Sequence, residues 1–246
     1  MSQPILHIYE TADATLVALA DFFVETAKMA IAETGRFSVS LSGGSSPKKL
    51  YELLATPEYS RRIDWDKVDF FFGDERYVPA DHPDSNALMV KKALFDPLRI
   101  PAENIFAVDT SLPPDEAAEQ YAQTIRNRYQ AEAVRFDLIL LGLGDNSHTA
   151  SLFPHTPVLH DTSVSVKAVF LTDQNVYRIT MTAPLLNLGR RLAYLVYGQG
   201  KAEAVEAVLN GPEDIENHPA QLLRKAEGEI HWFLDKPAVR GYRYSI

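Results

Sequence analysis

A four-residue apolar run, Leu138-Ile139-Leu140-Leu141, follows Asp137, stops at Gly142-Leu143-Gly144 and gives way to Asp145-Asn146-Ser147-His148-Thr149-Ala150-Ser151. A run this short, apolar at every position and bounded by charge and glycine, suits a strand buried on both faces. Such strands belong to parallel sheets that carry helices on each side. The polar residues behind it then lie beyond the carboxyl end of a parallel strand, where open α/β sheets bind their ligands. A reactive group in that loop faces a crevice, and the imidazole of His148 is the candidate.

The pattern recurs along the chain. Phe37–Leu41 runs into Ser42-Gly43-Gly44-Ser45-Ser46-Pro47, after which helical periodicity covers 48–55. Glycines there let backbone N–H groups converge, serines add hydroxyls, and Pro47 suits a first helical turn, so the segment reads either as an anion site at a helix N-terminus or as a plain tight turn. Val68–Phe72 leads into Gly73-Asp74-Glu75-Arg76, where the planar Arg76 fork suits a phosphate or carboxylate unless it pairs locally with Asp74 or Glu75. A buried strand over 192–197 ends at Gly198-Gln199-Gly200-Lys201, and a helix runs on to about Leu209, so that the Lys201 ammonium can join a phosphate at the sheet's edge. Arg178, on an alternating strand over 177–182, is either a ligand contact or a solvated strand charge.

The remaining elements follow from periodicity: a strand over 5–9, a helix over 13–34 ended by Gly35, a helix from 84–86 through 94, a short strand over 105–108, and a helix over 115–131. A strand over 164–172, short helices over 185–188 and 219–225, and a strand over 230–235 that closes the sheet complete the expectation. Alternating strands and helices point to an α/β fold with a mostly parallel central sheet. No repeat, low-complexity tract or linker divides 1–246, and a single domain is the simpler expectation.

Gly142-x-Gly144-x-x-Ser147 comes close to the dinucleotide-binding pattern. Ser147 replaces its third small residue, however, and the acid ending the next strand, Asp173, lies beyond the expected spacing of about 20 residues. No Walker spacing is present either. A net charge of −9 and a pI near 5.3 argue against nucleic acid or an anionic membrane as the main partner, since either needs a concentrated basic face. The chain has no cysteine, which excludes disulfide and thiolate chemistry. It also lacks a run of about 18 apolar residues or a basic-then-apolar N-terminus, so a soluble, cytoplasmic protein is expected.

Taken in order, Ser42-Gly43-Gly44-Ser45, Gly73-Asp74-Glu75-Arg76 with Ser85-Asn86, His148-Thr149-Ala150-Ser151-Leu152-Phe153-Pro154, Arg178-Ile179-Thr180 and Lys201 closely resemble the 6-phosphogluconolactonase family almost end to end. The resemblance implies a Rossmann-like three-layer sandwich of the sugar-phosphate isomerase type. It also implies hydrolysis of 6-phospho-D-glucono-1,5-lactone to 6-phosphogluconate, in the oxidative pentose phosphate pathway, by a monomer or homodimer with no cofactor and no metal. Position by position, it implies His148 as the base that activates water. Ser42, Gly43, Gly44, Ser45, Asp74, Arg76 and Lys201, with Arg178, would hold the phosphorylated substrate.

One departure stands out. The family usually shows Asp-Gly-His, whereas this chain has Asn146-Ser147-His148 with Asp145 one position earlier. Either Asn146 orients the imidazole without a charge, or Asp145 supplies the charge from another angle. Two other functions are weighed. Amino-sugar-phosphate isomerases or deaminases share the fold, but carry an Asp-Glu-Tyr type motif and His-Ile-Ala-Phe-Asn-Glu-Pro, so a proton-shuttling acid beside the sugar is expected to be missing here. A non-catalytic sugar-phosphate-binding regulator would need no strand-end base and would normally carry a DNA-binding segment.

Overall fold

The computed structural model describes residues 3–130 and 133–240. Its strands are β1 (Ile5–Tyr9), β2 (Phe37–Leu41), β3 (Val68–Phe72), β4 (Asp74–Arg76), β5 (Leu138–Leu141), β6 (Val166–Leu171), β7 (Val176–Met181), β8 (Arg191–Val196) and β9 (Glu229–Asp235). Its α-helices are α1 (Ala12–Thr34), α2 (Ser45–Leu54), α3 (Pro57–Ser60), α4 (Asn86–Val90), α5 (Asp96–Leu98), α6 (Pro114–Tyr129), α7 (Ala183–Leu186) and α8 (Ala202–Leu209).

The central sheet has six strands in the order β1-β9-β8-β5-β2-β3, and every pairing in it is parallel. Parallel strands covered on both faces send alternate side chains into two cores. In β3, Phe70 and Phe72 pack with α1, α2 and α4, while Phe71 packs with α6. In β5, Leu138 and Leu140 face the first core, and Ile139 and Leu141 the second. The apolar runs of β5 and β8 are continuous because those strands serve both sides, whereas β2 alternates, with Phe37, Val39 and Leu41 all in the first core.

α1 is held at its start by the Thr11 hydroxyl, which accepts from the Ala14 N–H, and at its end by Gly35 at φ 84°. Its buried face, including Leu16, Leu19, Phe23 and Ala27, covers the sheet. On the opposite side lies a second sheet in the order β4-β7-β6, antiparallel throughout. Among the described residues, no helix is long and apolar enough to cross a membrane.

The structure departs from the sequence expectations in a few places. Helix α2 begins at Ser45, before 48, so Gly44 is its N-cap. Residues 105–108 do not form a strand; Ile105 makes a single parallel bridge to Phe70. The helix opened by α4 continues through a π-helical turn, Lys91–Phe95, into α5, and Pro219–Lys225 is a 3-10 helix. β9 does not close the sheet at an edge: it lies between β1 and β8. The expected end of the α6 helix at Ala131 lies outside the described residues.

Phe71 is fully buried, stacks on Phe106 at 4.6 Å between centroids and meets Phe136 edge-on at 5.1 Å. Replacing it by alanine leaves a cavity that close-packed neighbours fill only in part. Phe71→Ala should therefore lower unfolding free energy by about 3–5 kcal/mol in urea titrations; a loss below about 1 kcal/mol would mean that this face of the sheet repacks freely.

Candidate active site

β2 and β5 are neighbours, yet the chain leaves them in opposite directions, β2 towards β3 and β5 towards β8. Loops beyond their carboxyl ends therefore diverge and leave a crevice at the topological switch point. A cleft of about 290 Å³ lies there, lined by Ser42, Gly43, Gly44, Ser45, Asp74, Arg76, His148, Arg178 and Lys201. These residues come from loops after β2, β5 and β8 and from the small sheet, so nearly every side chain singled out in the sequence meets at one place.

One wall is the N-terminus of α2. Gly44 holds φ 109°, where an L side chain would be strained, and this turns the backbone so that the helix opens at Ser45. The first N–H groups of a helix have no intrahelical acceptor and carry the positive end of its dipole. The loop is rigid: the buried Tyr51 hydroxyl accepts from the Ser42 N–H at 3.0 Å and donates to the Ser42 carbonyl at 2.8 Å. Ser42 Oγ is buried with no hydrogen-bond partner among the described residues and lines the cleft.

Opposite lie two arginines. Residues Asp74–Arg76 form a strand, where the sequence suggested a loop, and pair with β7 so that Arg76 and Arg178 face each other across the ladder. Like charges directly opposite repel, and burial together with Arg76 lowers the Arg178 guanidinium from its usual range. The Arg76 guanidinium donates to the Asp84 carbonyl at 2.8 Å and bonds neither neighbouring carboxylate. A site that holds two cations apart in this way is complementary to an anion.

Glu75 and Asp74 have separate jobs. Glu75 is buried and accepts from the N–H groups of Asn86 at 2.7 Å and Ala87 at 2.8 Å, so it caps α4. Asp74 points into the cleft, where its carboxylate accepts from Ser151 Oγ at 2.5 Å. Burial raises its pKa, while Ser151, Arg76 and Arg178 oppose the shift. Asp74, which the family resemblance placed among the substrate-binding residues, thus brings a carboxyl to the cleft.

His148 is held from two sides. Its Nδ1 lies 2.5 Å from Asn146 Oδ1, and its ring stacks on Phe153 at 4.1 Å between centroids. An amide oxygen only accepts, so the proton sits on Nδ1 and Nε2 keeps a free lone pair. The backbone of Gly144 runs under the ring: a Cβ there would come within 2.0 Å of Nδ1, so this position must be glycine. Asp145 does not approach the imidazole as its partner. It is exposed and pairs with Lys201 Nζ at 2.5 Å. Burial, then the charges of Lys201 and Arg178, push the His148 pKa down to about 4, against a smaller opposing effect of Asp145. The ring is neutral at any ordinary pH.

Several contributors were missed. Phe153, Ser151 and Tyr51 act through contacts between segments distant in sequence. Asn86, read as part of a helix start and of the family motif but given no role, donates to the Asp74 carbonyl at 3.0 Å, and its Oδ1 is buried with no partner among the described residues at the cleft wall. Among the described residues, no group of three or more His, Asp or Glu side chains is placed to hold a metal ion.

Fold and cleft together define an open α/β protein whose switch-point crevice combines an anion cradle with a neutral, oriented imidazole. Residues 10–232 match the family model described as glucosamine-6-phosphate isomerases/6-phosphogluconolactonase. The chain is 41% identical over 219 residues to a 6-phosphogluconolactonase of Synechocystis sp., covering 87% of this chain and 88% of that protein. It is 38% identical over 202 residues to one of Haemophilus influenzae, covering 82% and 86%. The structure of 6-phosphogluconolactonase from Trypanosoma cruzi superposes with a TM-score of 0.88 at 26% identity, over 98% of both chains. This chain belongs to the glucosamine-6-phosphate isomerase/6-phosphogluconolactonase family.

The electrostatics of the cleft have a direct readout. Followed by imidazole NMR, His148 should titrate near pH 4, and Lys201→Met should raise that value, because it removes a cation that disfavours the imidazolium and frees Asp145 from its partner. An unchanged or lower value in Lys201→Met would show that Lys201 does not act on the ring.

Proposed function

We propose that this chain hydrolyses 6-phospho-D-glucono-1,5-lactone to 6-phosphogluconate, with His148 as the general base. The observation that carries the reading is the His148 imidazole, its Nδ1 tied to Asn146 and its other nitrogen free at the edge of a cationic cleft. The relatives named 6-phosphogluconolactonase support the choice of substrate. The substrate's phosphate rests at the N-terminus of α2 and against Arg76 and Arg178. Nε2 takes a proton from water as the water oxygen bonds to the lactone carbonyl carbon. The resulting oxyanion lies among fixed positive charges, which act strongly where water is excluded. As it collapses, the bond from that carbon to the ring oxygen breaks, and the ring oxygen takes the proton back from the imidazolium.

A pKa of about 4 describes a weak base that is always available. Binding of a phosphate among Arg76, Arg178 and Lys201 cancels part of the charge that depresses the ring, so the base strengthens once substrate is bound. A lactone carbonyl is already electrophilic, so modest assistance suffices. The alternative of an amino-sugar-phosphate isomerase or deaminase gains something from Asp74, which brings a carboxyl to the cleft. Against it, Phe153 stacks on His148 at the position where the isomerase motif carries glutamate. The net charge of −9 supports a small-molecule substrate over nucleic acid.

The test is an assay in which lactone is generated in situ and its hydrolysis is followed above the spontaneous background, with ammonia release from glucosamine 6-phosphate as the comparison. Hydrolysis no faster than background sinks the reading. His148→Ala should lose about 10²–10⁴ in kcat while 6-phosphogluconate binds within a few fold of the parent. Near-normal turnover in a folded variant would remove His148 from the mechanism.

The pH profile tests the partner of the base. A carboxylate beside Nδ1 favours the charged ring and raises its pKa, which leaves less neutral base at acidic pH. Asn146→Asp should therefore move the acidic limb of kcat/KM from near pH 4 to higher pH. Asp145→Asn should move it down, since Asp145 favours the imidazolium. A limb that stays in place in Asn146→Asp would show that Asn146 does not touch the base in solution.

A further inference from the structure

Ser147, the residue before His148, is placed in an unusual way. It holds φ 60°, a left-handed conformation that costs an L residue of this kind free energy that glycine does not lose. It is also buried, with 1% of its surface exposed. A strained, buried polar residue persists only where its surroundings over-determine it. Here every polar group of Ser147 is engaged: its N–H donates to the Gly144 carbonyl at 2.9 Å, its carbonyl accepts from the Ala220 N–H at 3.0 Å, and its Oγ lies 3.0 Å from His218 Nδ1.

The turn that carries the base is closed on itself by the Gly144 N–H, which donates to the His148 carbonyl at 2.8 Å. What ties this turn to the body of the protein is therefore decisive for where the imidazole points. One tie is the Asp145–Lys201 pair, whose carboxylate is largely in solvent and which a phosphate can compete with. The other is the pair of bonds from Ser147 to His218 and Ala220. That second anchor is itself well fixed. The His218 N–H donates to the Asp214 carbonyl at 2.8 Å, the Asp214 N–H donates to Gln221 Oε1 at 2.7 Å, and Gln221 Nε2 donates to the carbonyls of Ala207 and Pro212, at 2.9 Å each.

We propose that His218 is a positioning residue for His148, acting through the buried hydroxyl of Ser147, and that the bond between them holds the turn in the strained backbone state that aims the imidazole into the cleft. His218 does not line that cleft, so its contribution is to geometry and not to substrate contact. The inference rests on His148 as the base for its kinetic consequence only, because the orientation of the ring can be read without turnover.

The experiment combines kinetics with imidazole NMR of His148. In His218→Ala the ring loses its fixed aim, and kcat should fall about 10-fold with KM within about twofold, the order expected when a reacting group is misplaced by a fraction of an ångström. The His148 signals should shift or broaden in the same variant. His218→Asn, whose side-chain amide can bond the hydroxyl from nearly the same place, should restore kcat to within about threefold of the parent. Ser147→Ala removes the hydroxyl from the other side and should reproduce the loss, which keeps the idea testable if His218→Ala folds poorly. In a Ser147→Gly background, where strain and hydroxyl are both gone, His218→Ala should cost less than about twofold further. Unmoved His148 signals with normal kcat in His218→Ala overturn the proposal. So does an equal loss in the Ser147→Gly background, since His218 would then act by another route. If His148→Ala keeps its turnover, the base assignment fails on its own, and the NMR of the His218 variants still decides whether His218 holds the ring.

Discussion

The parallel sheet, buried on both faces, is the constraint on which the rest of the molecule depends. β3, β5, β8 and β9 each send alternate apolar side chains into two separate cores, so a polar side chain buried along the sheet costs free energy unless it is bonded. Asp69 shows the rule: it is buried on β3 and is bonded by both Arg36 and Arg128. Polar chemistry is pushed to the strand ends, and at the switch between β2 and β5 the loops part to leave a cleft. The location of the cleft follows from strand order before any of its side chains is considered.

Within the cleft, charge and neutrality are set against each other. Arginines opposed across β4 and β7, a lysine on the rim and a helix N-terminus all favour an anion. Burial, and then the same cations, keep His148 deprotonated. Under the proposed function, attraction of the phosphate and maintenance of a free base draw on the same cations, and the imidazole takes an amide, Asn146, as its orienting partner. An amide suffices where the ring is not meant to carry a standing charge, which gives the asparagine at 146 a physical sense.

Much of this was legible in the sequence, because strands β2, β3, β5 and β8 each announce themselves by a short apolar run and each ends in glycine and polar residues. The glycine-serine turn, Arg76, His148 and Lys201 stood out by position alone. Features that depend on distant pairing were not legible. Asp74–Arg76 reads as a loop until β7, about a hundred residues later, supplies a partner. Local spacing does not separate Glu75 from Asp74, and only the family resemblance singled out Asp74; one caps a helix and the other lines the cleft, a difference made by strand alternation in an element the sequence did not reveal. The choice between Asn146 and Asp145 turned on a side-chain direction: Asp145 swings out to Lys201, and local spacing carries no information about that. The left-handed residue at Ser147 was hidden for the same reason, since serine gives no local sign of positive φ.

The opposed arginines have a thermodynamic consequence for the empty protein. Repulsion between Arg76 and Arg178 works against the β4–β7 pairing and is opposed by the carboxylates of Asp74, Asp84 and Glu75. An anion bound beside both arginines would relieve that repulsion within the small sheet, so binding and local order become linked quantities. By mass action, a ligand at about a hundred times its dissociation constant adds roughly 2.7 kcal/mol to the folded state, and part of that gain is cohesion returned to a region that carries self-repulsion on its own. The protein is at its most robust when it is at work.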